Sequence, residues 1–318
     1  AGVVTDGLTQ QPVSNSTVTM EKDGEVVAEI STSANGRFEF TGLEYGNYRL
    51  KVEKEGYIQF VQQVQVGRTH EDFEIELYPT PRVAVLGDYT FDNRNFRFVM
   101  GEMGIDVTPL TLANVVQEIS NYDVLFFNDV ASTQLTKLLF DSILEAADEA
   151  KTSIIFGEIN TANSGVMHAV RHRQDPKTRA NHPIQTKTAG YVVLEEHPIF
   201  KGYEEGEFAE LLLPSGSRIS SFANYSGYNL AMISHEGDAN PHGLGVAYKP
   251  RTANSVELLM SGHGFSIQHH NDHYTEQGKE ILKNAVVWSA YTSFHTISGQ
   301  VTDEDGNPVL ADVSVVGE

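Results

Sequence analysis

Histidine crowds toward the C-terminal half of the chain. Of its 12 histidines, four fall within "GHGFSIQHHNDHY", where His263, His269, His270 and His273 surround Asp272. Imidazoles and a carboxylate gathered so closely form a donor set for zinc or another divalent ion. The candidate ligands are His269, His270, Asp272 and His273, though their spacing fits no zinc signature. A second pair, His168 and His172, would share one face of a helix. It lacks the glutamate of His-Glu-x-x-His, so metalloprotease chemistry is not indicated. Solvated loop and capping positions also account for both groups, and that is the favoured reading.

A second set of polar residues follows four apolar runs, "RVAVLGD", "DVLFFND", "TSIIFGE" and "SVELLMSGH". Continuous apolar runs are expected of parallel strands covered on both faces, and ligands of such sheets sit beyond the carboxyl ends of the strands. Asp88, Asn128, Asp129, Glu158, Asn160 and His263 are therefore the candidate ligand-binding residues on one rim. If the rim is catalytic, Glu158 and His263 are its acid–base pair. The competing account is that Gly, Asp and Asn end strands because they start loops and cap helices. Between these runs "VRHRQDPKTRANHP" is locally basic and reads as a long excursion, either an exposed loop or a cover for the rim.

Other chemistry is ruled out by what is missing. The chain has no cysteine, which removes disulfides, thiolate ligands and cysteine nucleophiles together. Gly-x-Ser-x-Gly, Gly-x-x-x-x-Gly-Lys-Ser/Thr and Gly-x-Gly-x-x-Gly are all absent, so no hydrolase elbow, nucleotide loop or dinucleotide fingerprint is present and no cofactor is expected. "DEDGN" lacks the later ligands of a calcium loop, with Ser314 at the closing position, and reads as a hairpin turn. The 43 acidic residues against 22 basic ones give a net charge of −21, which repels nucleic acid and anionic lipid. No apolar stretch approaches the roughly 20 residues of a membrane-spanning helix.

The elements that must position these groups change character along the chain. Residues 1 to about 80 alternate with period two, as at Tyr48, Leu50 and Val52, and turns fall at Asp23-Gly24, Asn35-Gly36, Gly42 and Gly46. This is the pattern of a β-sandwich. After Pro79-Thr80-Pro81 the apolar runs alternate with helical spacing, at Leu135, Leu138, Leu139, Ile143, Ala146 and Ala147 and again at Ile281, Leu282, Ala285, Val286 and Trp288. Five or more parallel strands in a doubly wound α/β sheet are expected over residues 81–292. The start of the chain then returns: Gly2, Val4, Thr5, Asp6, Pro12 and Val13 recur as Gly299, Val301, Thr302, Asp303, Pro308 and Val309. Residues 293–318 thus read as the opening of a second sandwich, and the chain as a piece of a longer, repetitive one.

"SANGRFEFTGLEYGNYRLKVEKEGY" resembles the carboxypeptidase regulatory-like domain, a seven-stranded transthyretin-like sandwich. The resemblance covers residues 1 to 78 and implies a spacer or binding module. Related cross-linked sandwiches use a lysine in the first strand, which this chain lacks. From "YDVLFFND" to "ILKNAVVWSA" the second region resembles the class I glutamine amidotransferase-like fold, a flavodoxin-like sheet, and especially its ThuA-like members. That family places a catalytic cysteine on the turn after the strand written here "SIIFGEIN". Gly157, Glu158, Ile159 and Asn160 stand there instead, so glutamine hydrolysis by that route is excluded. The expectation is a non-catalytic accessory region of a secreted or cell-surface multidomain bacterial protein, by analogy a subtilisin-like peptidase. Its partners are the other domains of that chain and a carbohydrate or protein ligand. The alternative is a hydrolase or carbohydrate-binding domain using the rim.

Overall fold

The computed structural model describes residues 1–67, 72–86, 90–128, 135–157, 177–182, 186–216, 219–223, 225–262 and 271–294. The N-terminal region contains seven strands: β1 (Gly2–Asp6), β2 (Thr17–Lys22), β3 (Glu25–Ser31), β4 (Arg37–Phe38), β5 (Gly46–Glu53), β6 (Phe60–Val66) and β7 (Phe73–Leu77). They form a three-stranded sheet in the order β4-β1-β7 and a four-stranded sheet in the order β3-β2-β5-β6. Alternation decides which side chains meet between the sheets. In β5, Tyr48, Leu50 and Val52 are buried while Asn47, Arg49 and Glu53 are exposed, and the buried three pack with Val4, Val18, Met20, Phe38 and Ile75. Asp23 and Gly24 both take positive φ (54° and 84°), the backbone that a two-residue hairpin between β2 and β3 requires.

Two residues of the sequence repeat acquire physical reasons here. A Cβ on Gly2 would lie 2.6 Å from the Phe73 carbonyl oxygen, so only glycine lets β1 and β7 pair at that point. Asp6 closes the turn after β1 by accepting from the amides of Leu8 (2.9 Å) and Thr9 (2.8 Å) and from the Tyr57 hydroxyl (2.9 Å). Burial pushes its carboxyl up, but the bonds from Thr9, Tyr57 and Leu8 outweigh this and hold it below the usual carboxylate range.

Among its described residues the second region has eleven strands in one sheet. Five of them, β8 (Val83–Leu86), β9 (Val107–Leu110), β10 (Val124–Phe127), β11 (Ser153–Gly157) and β18 (Ser255–Met260), are parallel neighbours in the order β9-β8-β10-β11-β18. Among the described residues the helices are α1 (Thr90–Glu102), α2 (Val115–Glu118), α3 (Lys137–Ala150) and α4 (Glu276–Tyr291). Alternate strand residues go to opposite faces. Val83, Val85, Phe126, Ile155 and Leu258 pack with Phe96 and Val99 of α1 and with Ile281 and Leu282 of α4. Ala84, Leu86, Leu125, Phe127 and Ile154 pack with Val115, Phe140 and Ile143 on the other side. That two-sided cover is why these runs are continuously apolar.

The expected α/β sheet is only part of what forms. The remaining strands are β12 (Lys177–His182), β13 (Ala189–Val193), β14 (Phe208–Leu212), β15 (Ile219–Ala223), β16 (Tyr228–His235) and β17 (Gly243–Thr252). All of them pair antiparallel, and β17 joins this half to β18. The region is therefore richer in sheet than a doubly wound fold predicts. The basic excursion is not an ordinary loop throughout, because its residues 177–182 pair with β15. After α1 the chain turns at Gly104 (φ 78°), and β9 begins at Val107.

One charge breaks the apolar pattern of β18. Glu257 is only 2% exposed. Arg251 reaches it at 3.2 Å through Nη1 and binds Asp148 of α3 through Nε (2.7 Å) and Nη2 (2.6 Å). A buried carboxylate requires such a partner.

The two regions share a seam. Ile58, from the segment between β5 and β6, is buried in the core built on α1 and α4. The linker is hydrogen-bonded along its length. Ile58 N–H donates to Tyr78 O (2.9 Å), Thr80 N–H to Gly56 O (2.9 Å), and the Tyr291 hydroxyl to Pro79 O (3.0 Å). The Asp123 carboxylate accepts from Arg82 N–H (2.8 Å), Nε (3.2 Å) and Nη2 (2.6 Å), and Lys201 pairs with Glu76 at 3.2 Å. Burial raises the Tyr291 hydroxyl to about 12, so it stays a donor.

Two substitutions test this packing. Gly278 lies in the first turn of α4, where its amide donates to Thr275 Oγ1 (2.9 Å) and an added Cβ would fall 2.4 Å from Leu211 O. Alanine ordinarily stabilises a helix by about 1 kcal/mol relative to glycine. Here the strand backbone must move, so Gly278→Ala is expected to destabilise by about 1–3 kcal/mol in urea unfolding. A neutral or stabilising result would refute the close approach. His197 caps the short helical turn at Pro198–Phe200 and sits 4.6 Å from the Trp288 ring. Burial depresses its pKa from 6.5 to about 4. The unfolded chain therefore binds a proton that the folded one refuses, so this stability is complete above about 6.5 and drains as pH falls toward 4. Between pH about 7 and about 5.5 the wild type should lose up to about 1.4 kcal/mol per unit more than His197→Asn. Parallel pH profiles of Tm for the two proteins would show that the imidazole is not held neutral.

Candidate functional site

The carboxyl edge of the sheet can be traced strand by strand. β8, β10, β11 and β18 end there at Leu86, Phe127, Gly157 and Met260. β17 runs against β18, and β16 runs against β17, so β16 points the same way as the parallel strands and ends on the same edge at His235. Two strand spacings separate β16 from β18, about 10 Å along the edge.

Of the ligand-binding candidates, Asn128 lies among the described residues. It is fully buried at the end of β10, where its amide donates to Leu86 O at 2.8 Å. Asp88, Asp129, Glu158, Asn160 and His263 lie outside the described residues, as do His168, His172, His269 and His270. Asp272 and His273 form a single turn at Asn271–His273 leading into α4. Asp272 is exposed, and the His273 carbonyl accepts from the Leu213 amide at 2.8 Å. The described part of the Ser-Gly-His turn is held firmly. The Tyr191 hydroxyl donates to Ser261 O and that of Tyr274 to Gly262 O (2.9 Å), while Gly262 takes φ 82°.

A different histidine group converges on this edge. In "SHEGDANPHG", His235 ends β16, His242 precedes β17, and Asp238 lies in the hairpin between them. His235 Nδ1 is 2.9 Å from His242 Nε2, Asp238 Oδ2 is 3.2 Å from the same Nε2, and Oδ2 is 3.9 Å from His235 Nδ1. The hairpin backbone fixes them in place. Asp238 N–H donates to His235 O (3.1 Å), His242 N–H to Ile233 O (2.9 Å) and Glu236 N–H to Thr188 O (2.9 Å), with Gly237 at φ 71°. Lys187 Nζ binds the other oxygen, Oδ1, at 2.6 Å. That bond from Lys187, against some burial, holds the Asp238 carboxyl below its usual range, with the lysine charge and His242 adding to it. Two imidazoles and a carboxylate on one turn are a set that could hold a metal ion. Sequence inspection passed over them, although the spacing His-x-x-Asp-x-x-x-His between two strand-like runs was the available signal.

Two cavities open along the seam between the regions. One of about 580 Å³ is lined by Asn15, Glu53, Lys54 and Tyr57 against Gly101 and Gly104. The other, about 440 Å³ and more apolar, lies between Phe60, Val61 and Tyr78 on one side and Val287, Trp288 and Tyr291 on the other.

No curated protein matches the chain. Among solved structures, 5-hydroxyisourate hydrolase of Klebsiella pneumoniae is similar, with 22% identity over 24% of this chain and 87% of its own, at a TM-score of 0.22. A Thermoplasma acidophilum protein described as part of a GMP synthase is similar over 66% of this chain and 94% of its own, with 16% identity and a TM-score of 0.39. Residues 1–78 match the family model of the carboxypeptidase regulatory-like domain, and the N-terminal sandwich is therefore a domain of that family.

Proposed function

We propose that this region is a non-catalytic accessory of a longer, exported bacterial chain, in which the sandwich and the second domain form one stiff body that spaces or presents its neighbours. The single observation that carries this reading is the linker. Every residue from Tyr78 to Arg82 except Pro81 donates or accepts a hydrogen bond, and Ile58 crosses into the other core. A flexible tether would leave its polar groups to water. The resemblance of the first region to spacer modules, the absence of cysteine and the repeat at residues 299–309 support the same reading. Its partners are then the neighbouring domains of the parent chain, which by analogy is a secreted peptidase.

The absence of native cysteine makes stiffness directly measurable. Glu29 and Glu145 are exposed on the two regions, and the Glu29→Cys/Glu145→Cys protein can be labelled only at those sites. Electron–electron distance measurements should give one narrow distribution that broadens when Ile58→Asp is added. A broad distribution in the starting protein would mean a hinge and end the proposal. The catalytic alternative has its own test. Hydrolysis of ester, peptide and glycoside substrates is expected to match the buffer blank, and turnover lost on Glu158→Gln would establish the enzyme instead.

A further inference from the structure

We propose that the β16–β17 hairpin is a binding site for a zinc-class divalent cation, with His235 Nδ1, Asp238 Oδ2 and His242 Nε2 as its protein ligands. A tetrahedral ion with donors at about 2.1 Å spaces them roughly 3.4 Å apart. The three separations here, 2.9, 3.2 and 3.9 Å, bracket that value with no rearrangement of the backbone.

Protons alone satisfy this geometry poorly. A ring nitrogen offers one position in its plane, either N–H or lone pair. His242 Nε2 faces both His235 Nδ1 and Asp238 Oδ2. If Nε2 accepts from His235, its lone pair is turned toward a carboxylate oxygen. If it donates, one hydrogen must serve two acceptors. A single cation at the centre of the three atoms removes the conflict whichever tautomer is chosen. Lys187 binds Oδ1 and so leaves Oδ2 directed at the imidazoles, the kind of outer contact that orients a ligating carboxylate. His235 is 2% exposed, which gives the ion one buried ligand and two nearer the surface.

The described residues supply three ligands, and a fourth position would be filled by water, by an oxygen donor of a bound molecule or by another side chain. The donor set of nitrogen and oxygen selects zinc, nickel, cobalt or copper over calcium and magnesium. The net charge of −21 adds a general attraction for cations. The site is independent of the accessory reading, since a metal can brace a hairpin in a scaffold as readily as in an enzyme.

Calorimetry with zinc on chelator-treated full-length protein, together with Tm in the presence and absence of zinc, tests the assignment. One site should saturate, zinc should raise Tm, and both effects should weaken about tenfold or more in His242→Gln and in Asp238→Asn. Both variants keep the buried His235 itself, and circular dichroism checks that each is folded. The double variant His269→Ala/His270→Ala should bind zinc like the wild type. Zinc binding that survives in the hairpin variants, or that is lost instead in the His269/His270 variant, overturns the proposal. So does a wild type with no saturable site, because the converging ligands would then hold a proton only.

Discussion

Excluding water from both faces of β8, β10, β11 and β18 is the constraint on which the rest of the second region depends. Ala84, Val85, Leu125, Phe126, Ile154 and Ile155 are fully buried, so no polar side chain can stand in these strands without a partner supplied from the layers above and below. The exceptions show the rule at work. Ser153 donates to the Ser289 carbonyl of α4 at 2.6 Å and accepts from the Val256 amide at 3.0 Å, so its hydroxyl pins two strands and a helix together. Glu257 draws in Arg251, and Arg251 in turn fixes α3 through Asp148. Helix placement and buried polarity are thus one problem with one solution.

The same constraint decides where chemistry can occur. With the faces closed, free side chains are left at the ends of strands. The direction of β17 then matters more than its composition, because a strand running against β18 lets β16 deliver His235 to the carboxyl edge. A parallel crossover would have carried the chain away from that edge, whereas the β16–β17 turn keeps His235, Asp238 and His242 on it. A tight turn holding three donors within one hairpin is also stiffer than a site assembled from separate loops.

This explains which parts of the molecule are legible in sequence. Runs such as "RVAVLGD" announce strands because burial on both faces demands apolar residues at every position, and the helical spacing of Ile281, Leu282 and Ala285 survives because α4 has one buried side. The antiparallel strands give neither signal. β16 reads "YNLAMISH" and β17 carries Pro250 inside the strand, where the pairing register shifts. Neither alternation nor a continuous run is preserved. The density of histidines at 263–273 draws attention in sequence, and Asp272 and His273 of that group lie in the turn before α4, while the sparser 235–242 group is brought together by pairing that only the fold reveals.

The change of pattern near residue 80 marks a change of architecture, yet Ile58, from before it, belongs to the core that lies after it. Tyr57 and Ile58 are adjacent in the chain and serve opposite sides: Tyr57 bonds Asp6 in the turn after β1, and Ile58 enters the core of α1 and α4. A rotation of one region against the other would have to pull Ile58 out of that core or else drag it away from Tyr57 and its bond to Asp6. Leaving a buried isoleucine unpacked costs about 2–4 kcal/mol before any hydrogen bond is counted. Two residues placed back to back in this way join the turn after β1 to the core of α1 and α4.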